Sequence, residues 1–328
     1  MLELITLDPE FHRLFNLLSA HQVMLADEVR VSQFAKAISE TVKEGDVVVD
    51  LGTGTGILAF LAVKAGARKV YAIEQNKIIN IAREIARANG MEDRIIFYHA
   101  DARRVELPER ADVVISETIG HMAVAENFLH NIIHARQHFM KADGKLIPNA
   151  ITICVAPVEC RGAYERLEFW DRSHYGLDFS SVVQHCANQV YIHSFQPEEL
   201  LASPTVLTAI NLNEIDRPVI NAAIELSITR PGELHGVAGW FVAHLAKGIE
   251  IDTSPSINPT HWQQAYFPLW PKQNVAFEDR LLFHAAFSCT AIAANWTWHW
   301  QSLRRDARKT PFVEPANIST IKPANCHV

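Results

Sequence analysis

Two kinds of hydrophobic pattern divide the chain. Val47 to Leu51 (VVVDL), Val70 to Ile73 (VYAI), Ile95 to Ala100 (IIFYHA) and Asp112 to Glu117 (DVVISE) are short, nearly unbroken apolar runs. Runs of this kind mark strands buried on both faces, as in a parallel sheet covered by helices. Ile57 to Ala65, Lys77 to Asn89 and Glu126 to Met140 have helical composition, and the first two stop at Gly66 and Gly90. The alternation from about Gly45 to Pro148 predicts an open α/β sheet. Upstream, Phe11, Leu14, Phe15 and Leu18 recur at helical spacing behind an Asp8-Pro9-Glu10 start, so residues 1–43 are predicted helical. After Pro148 the helices between strands disappear. Ile151 to Glu159, Val219 to Arg230 and His235 to Ala246 are predicted strands of a β-rich second domain, sandwich or barrel. A long insertion, Tyr164 to about Leu212, separates its first strands and is expected to pack on a partner subunit. From about Gln301 the chain is basic, then Pro/Asn-rich, as in a loosely packed tail.

The first strand runs into Gly52-Thr-Gly54-Thr-Gly56, where missing side chains let the backbone turn sharply and a ligand come close. Glu74 ends the next strand, where an acid suits the two hydroxyls of a ribose. Spacing of this kind cradles a dinucleotide or S-adenosylmethionine. Two features favour the second. Asp50 precedes the turn and can face a cationic amino-acid end, and the third glycine follows the second by two residues, not three. Asp50, Glu74, Asp101 and Glu117 all end strands, so four acids are expected on the sheet edge where such folds bind ligands.

Composition narrows the classes. The chain has 328 residues, 48% hydrophobic and 20% charged, enough for two folded units. Its formal charge of −7 argues against nucleic-acid binding through bulk positive charge and suits a cationic substrate. Cys154, Cys160, Cys186, Cys289 and Cys326 form no CxxC pair and no His/Cys ligand cluster in sequence, so no metal is expected. No apolar run reaches membrane-spanning length and the first residues lack a leader profile, so a cytoplasmic protein is expected.

Taken together, the motifs resemble the protein arginine N-methyltransferases, from about Phe11 to Ala286. The resemblance rests on DLGTGTG with AGARKVYAIE, on SETIGHMAVAENFL with acids at Glu117 and Glu126, on FWDRSHYGLDFS, and on TSPSINPTHWQQAYFPL with its Thr260-His261-Trp262 triplet. It implies an α/β Rossmann-like methyltransferase domain (44–148) behind a helical segment (1–43). A β-barrel domain (149–328) would follow, with an inserted helical dimerisation arm at about 164–212. It implies S-adenosylmethionine as methyl donor, S-adenosylhomocysteine as product, and a homodimer. By resemblance, Asp50, Gly52 and Gly54 line the methionine end of the cofactor. Glu74 holds the ribose, Asp101 and Ala102 touch the adenine, and Arg30 binds the cofactor carboxylate. Glu117 and Glu126 flank the target guanidinium, His261 and Asp27 form a proton-handling pair, and Met24 limits room beside the accepting nitrogen.

The two acids also follow from chemistry. A guanidinium has a pKa above ~12 and is a poor nucleophile. Paired carboxylates polarise it and aim one nitrogen. The chain departs from the family at three places. Phe11-His12-Arg13-Leu14-Phe15 lacks the tyrosines of the family's N-terminal aromatic motif. Thr118-Ile119-Gly120-His121 replaces the usual W-M-G-Y, and Arg103 stands where an acid is common. Phe128 replaces a methionine, and a bulkier ring there is expected to restrict a second transfer. These changes leave two alternatives open, a small guanidino or amino metabolite as acceptor, or a non-catalytic cofactor-binding dimer.

Overall fold

The computed structural model describes residues 17–289 and 294–303. The Asp8-Pro9-Glu10 start, the Phe11, Leu14 and Phe15 stripe and the tail beyond 303 lie outside the described residues. The helical segment begins with α1 (Leu18–Ala26), on which Leu18 is exposed and not packed. Asp27 then breaks the helix. Its backbone is extended and its side chain accepts the Arg30 N–H, which makes it the N-cap of α2 (Glu28–Thr41).

β1 (Val47–Leu51), β2 (Lys69–Glu74), β3 (Ile95–His99), β4 (Ala111–Ser116) and β5 (Met140–Ile147) form one sheet in the order β3-β2-β1-β4-β5. Every neighbouring pair is parallel. All five residues of β1 are buried, as its unbroken apolar run requires. Helices α3 (Ile57–Lys64), α4 (Ile79–Ala88) and α5 (Phe128–His138) connect the strands. The expected helix from Glu126 starts two residues later, because Glu126 and Asn127 take left-handed backbone at φ 61° and 60°. Register decides what meets at the sheet edge. Leu51 lies opposite Ile73 on one side and Ser116 on the other, so the residues that follow (the glycine turn, Glu74 and Glu117) leave the sheet at one level. Strand order reverses direction between β1 and β4, the place where open α/β sheets form a crevice.

The second half is an antiparallel β domain. β6 (Ala150–Val158) leads into an excursion of α6 (Arg161–Trp170), the short hairpin β7 (Ser173–His174) and β8 (Leu177–Asp178), and α7 (Val183–Ala187). The chain returns through β9 (Tyr191–His193) and β10 (Thr205–Asn211), followed by β11 (Val219–Ser227), β12 (Gly232–Ala246), β13 (Ile249–Asp252), β14 (Gln264–Val275), β15 (Arg280–Cys289) and β16 (Ala294–Ser302). The excursion is therefore shorter than the expected 164–212, since β9 and β10 are edge strands of the sheet β10-β6-β12-β14-β9. A second sheet, β11-β15-β16, faces it through Phe267, Phe283 and Trp298. The two halves share one hydrophobic core. Helix α2 lies between them, its fully buried Phe34 and Ile38 part of that core and its body packed on α3, β12 and β13.

Candidate active site

A cleft of about 1050 Å³, open to solvent, lies at the reversal point between β1 and β4. Its floor is the glycine turn. Gly54 has φ 54°, and a Cβ there would stand 2.9 Å from His21 Cε1, so only glycine leaves the backbone bare beneath α1. Glu74 forms one wall. It is buried, and its carboxylate accepts the Gly54 N–H at 3.2 Å and the Asn76 backbone and side-chain N–H groups at 2.8 and 2.9 Å. Asp101 and Ala102 form the far wall, with Arg103 forked onto the Asp101 carboxylate at 3.0 and 2.6 Å. That fork, working against burial, holds Asp101 below its ordinary range.

The opposite end carries the acids. Glu117 follows β4 with its side chain only 6% exposed, and Arg30, 7% exposed, donates to the same Glu117 oxygen through Nε at 2.8 Å and through Nη2. Arg30 Nη1 donates to the Met24 carbonyl at 3.0 Å. Glu126 stands in the same cleft, and among the described residues no cation is paired with it. Burial, and then the negative charges of Glu117 and Glu74, push its carboxyl up to about 8. One carboxylate thus has a guanidinium partner, while burial and its acidic neighbours disfavour the charge of the other.

The loop that carries them is clasped to the β domain. Met122, Ala123, Glu126 and Asn127 all have positive φ, a run of non-glycine strain that persists only where the surroundings over-determine it. The Trp262 indole N–H donates to the Ile119 carbonyl, and His121 Nδ1 donates to the Trp262 carbonyl at 2.8 Å. A carbonyl only accepts, so His121 carries its proton on Nδ1. Burial, with the nearby His261, pushes His121 down to about 4, so it stays a neutral donor. Next to Trp262, His261 gives both its backbone N–H (2.9 Å) and its Nδ1–H (2.8 Å) to one oxygen of Asp27, whose other oxygen takes the Arg30 N–H. Burial works to raise the Asp27 carboxyl, but these bonds outweigh it and hold the group below its ordinary value.

The cleft wall therefore brings together Met24, Arg30, Gly52, Gly54, Glu74, Asp101, Ala102, Glu117 and Glu126. Four expected residues stand off it. Asp50 lies under the turn, accepting from Thr53 Oγ1 at 2.6 Å and Ala59 N at 3.0 Å, where it braces the turn against α3. Its burial and the nearby acids push it up to about 6. Asp27 and His261 pair with each other just behind Arg30. Phe128 is fully buried in the first turn of α5 and is not among the residues that line the cleft. Sequence reading missed His21, Asn131 and the His121 clasp. His121 had been noted only as a departure from a pattern.

Two outcomes follow from this geometry. In the ligand-free protein, Glu126 binds its proton more tightly folded than unfolded, so its ionisation removes stability as pH rises from about 4.5 to about 8. Glu126→Gln should raise the thermal midpoint at pH 8.5, with the gain shrinking towards pH 5. An equal gain at both pH values would contradict the assignment. His121→Phe keeps a ring but loses the donor. It should lower turnover about tenfold or more while cofactor affinity changes less than about twofold. His121→Asn, which can place an N–H near the lost Nδ1–H, should recover much of the loss, and parallel losses in turnover and cofactor binding would show that the residue serves folding only.

Comparison with known proteins agrees with both halves. Residues 149–293 match the family model of the arginine methyltransferase oligomerization subdomain. Residues 34–151 match that of ribosomal protein L11 methyltransferase (PrmA). Protein arginine N-methyltransferase 6 of Xenopus laevis is 30% identical over 271 residues, covering 78% of this chain and 80% of that protein. A probable protein arginine N-methyltransferase 6 of Arabidopsis thaliana is 30% identical over 311 residues, covering 79% and 71%. The Trypanosoma brucei PRMT1 enzyme-prozyme heterotetrameric complex with AdoHcy shares the fold at a TM-score of 0.80 and 24% identity, covering 88% of this chain and 99% of that one. With a glycine-floored cleft, two acids at its end and relatives matched over most of their length, the chain belongs to the protein arginine N-methyltransferase family.

Proposed function

We propose that this methyltransferase uses S-adenosylmethionine to methylate a guanidino nitrogen of arginine in a protein or peptide, with Glu117 and Glu126 holding the guanidinium. The observation that carries the reading is the unequal acid pair. Glu117 is paired with Arg30, while burial and the acids Glu117 and Glu74 push the Glu126 carboxyl up to about 8. A guanidinium bound between them supplies the missing cation and brings Glu126 back to its carboxylate form. Neutral ligands gain nothing from that pair, so the site selects cations.

The residues present fit the cofactor. The bare backbone at Gly54 would take its sulfonium end, Glu74 its ribose hydroxyls, Asp101 and Ala102 its adenine, and Arg30 its carboxylate. When bound, it supplies an electrophilic methyl on sulfur. The chain's own work is orientation. The two carboxylates grip the guanidinium edges so that one nitrogen faces the methyl, and charge drawn towards them raises that nitrogen's nucleophilicity. Transfer of that methyl to the nitrogen would require the guanidinium to release one proton. His261, paired through Nδ1 with Asp27 behind Arg30, is the group this reading assigns to handle that proton.

The oligomer follows from two exposed apolar patches. The excursion over 161–187 presents Phe169, Tyr175 and Leu177, with Tyr175 fully exposed. Helix α1 presents Leu18, Val23 and Leu25, each more than half exposed. We read the excursion as an arm that covers the α1 surface of a second copy, in a β domain of barrel type. The Tyr175→Asp/Leu177→Asp double variant should then sediment as a monomer, where the wild type sediments as a dimer. An unchanged sedimentation coefficient would remove the arm from the interface.

Turnover is tested with labelled cofactor and a panel of arginine-rich peptides, set against free arginine and agmatine. Label should enter peptide. Glu117→Gln and Glu126→Gln should each lower turnover by about 10²-fold or more, with cofactor still bound by Glu126→Gln. Label entering only the small molecules would move the acceptor to a guanidino metabolite. Cofactor binding without any turnover would make the chain a non-catalytic member.

A further inference from the structure

Where the excursion leaves the β domain, Cys160 converges with His193 and Glu199, two residues well downstream of it, and all three carry metal-ligating atoms. Cys160 caps α6 and is 1% exposed. His193 ends β9, paired in register with Gln264 of β14. Glu199 closes the short turn Pro197–Glu199, its carboxylate accepting the Gln196 N–H at 2.8 Å and its carbonyl accepting the Glu159 N–H at 2.8 Å. Cys160 Sγ lies 3.2 Å from His193 Nε2, and one ligand atom from each of the three residues lies within 4.8 Å of the others.

We propose that Cys160, His193 and Glu199 bind one zinc-type divalent ion that pins the base of the excursion to the sheet. Bond lengths of about 2.3 Å to sulfur and about 2.0–2.2 Å to nitrogen and oxygen put ligand atoms about 3.3–3.7 Å apart around a tetrahedral ion. The set therefore needs to contract by at most about 1.5 Å at its widest. A thiolate and a carboxylate balance the two charges of the ion, so the site is neutral when filled. The thiolate and imidazole favour zinc over calcium or magnesium, whose ligands are oxygens. His193 and Glu199 are half-buried, which leaves a solvent side for arrival of the ion and a water as fourth ligand.

A cysteine–histidine nucleophile is the other chemistry such a pair offers. Burial, with the Glu199 carboxylate beside it, pushes the Cys160 thiol up to about 12, so without a metal it is a protonated hydrogen-bond donor and a poor nucleophile. A bound zinc ion reverses this by taking the thiolate directly. Each ligand is fixed by its own backbone element, so little order is lost when the ion arrives.

The test uses the full chain, stripped with a chelator and titrated with Zn(II) against a chromophoric competitor, and in parallel with Co(II). The expected result is one equivalent per chain, a higher thermal midpoint, and a thiolate-to-cobalt charge-transfer band in the near ultraviolet. Cys160→Ser keeps the packing, and should lose the band and weaken zinc binding by more than about 100-fold. His193→Gln should weaken it comparably, and neither change should alter peptide methylation at saturating substrate. If Cys160→Ser fails to fold, His193→Gln and the wild-type cobalt spectrum still decide. No saturable binding by the wild type, or binding that lacks the thiolate band and survives both substitutions, overturns the proposal.

Discussion

The site depends on a single turn of helix, Asp27 to Arg30, which holds three parts of the molecule at once. Arg30 and Glu117 form an ion pair almost wholly out of water, and an arrangement of that kind is stable only when its remaining hydrogen-bonding capacity is also met. Here three of the five Arg30 N–H groups are met, two by Glu117 and one by the Met24 carbonyl. Three residues earlier, Asp27 caps the same helix and accepts both N–H groups of His261. Residues 27 and 30 share a helical face, so one turn ties α1 to the end of β4 and to the loop before β14. Neither contact is local in sequence, and the buried body of α2 sets their spacing.

The acid loop is organised against its own backbone preferences. Four non-glycine residues in left-handed conformation would relax in an isolated peptide, and Glu126 is one of them. Two reciprocal hydrogen bonds across Ile119, His121 and Trp262 oppose that relaxation. Met122 adds a third restraint. It is 2% exposed and lies where a Cβ on Gly239 would touch its sulfur at 2.6 Å, so that glycine makes room for it. The strain and the raised Glu126 carboxyl have one origin. A side chain turned into an acidic cleft is held there by contacts made elsewhere.

Much of the first half was legible from the chain because it depends on local rules. Unbroken apolar runs became β1 to β4, and the parallel register put Glu74 and Glu117 on one edge as the strand ends implied. The roles that needed a third dimension were less legible. Asp50 is expected to face the ligand; its Oδ2 braces the turn from below while its Oδ1 has no partner among the described residues, a division that the end of a strand does not foretell. The helix from Glu126 was placed two residues early because composition does not report positive φ. The insertion was drawn too long because β9 and β10 are short edge strands with little alternation of their own. Cys160, His193 and Glu199 carry no spacing signal, and only the fold brings them within reach of one another.

The two roles assigned to Arg30, holding Glu117 and meeting a cofactor carboxylate, do not compete for the same atoms. A guanidinium carries five N–H donors in a rigid plane. In the structure Nε and Nη2 face Glu117 and Nη1 faces the Met24 carbonyl, which uses three of the five. Among the described residues no partner takes the remaining two N–H groups, so under the proposed function a carboxylate could bind them without the ion pair opening. A lysine here would be a single point charge and could not divide itself this way. Glu117 thus keeps Arg30 as its partner, and under the proposed function Glu126, pushed up by burial and its acidic neighbours, is the acid that a bound cation would bring back to its carboxylate form.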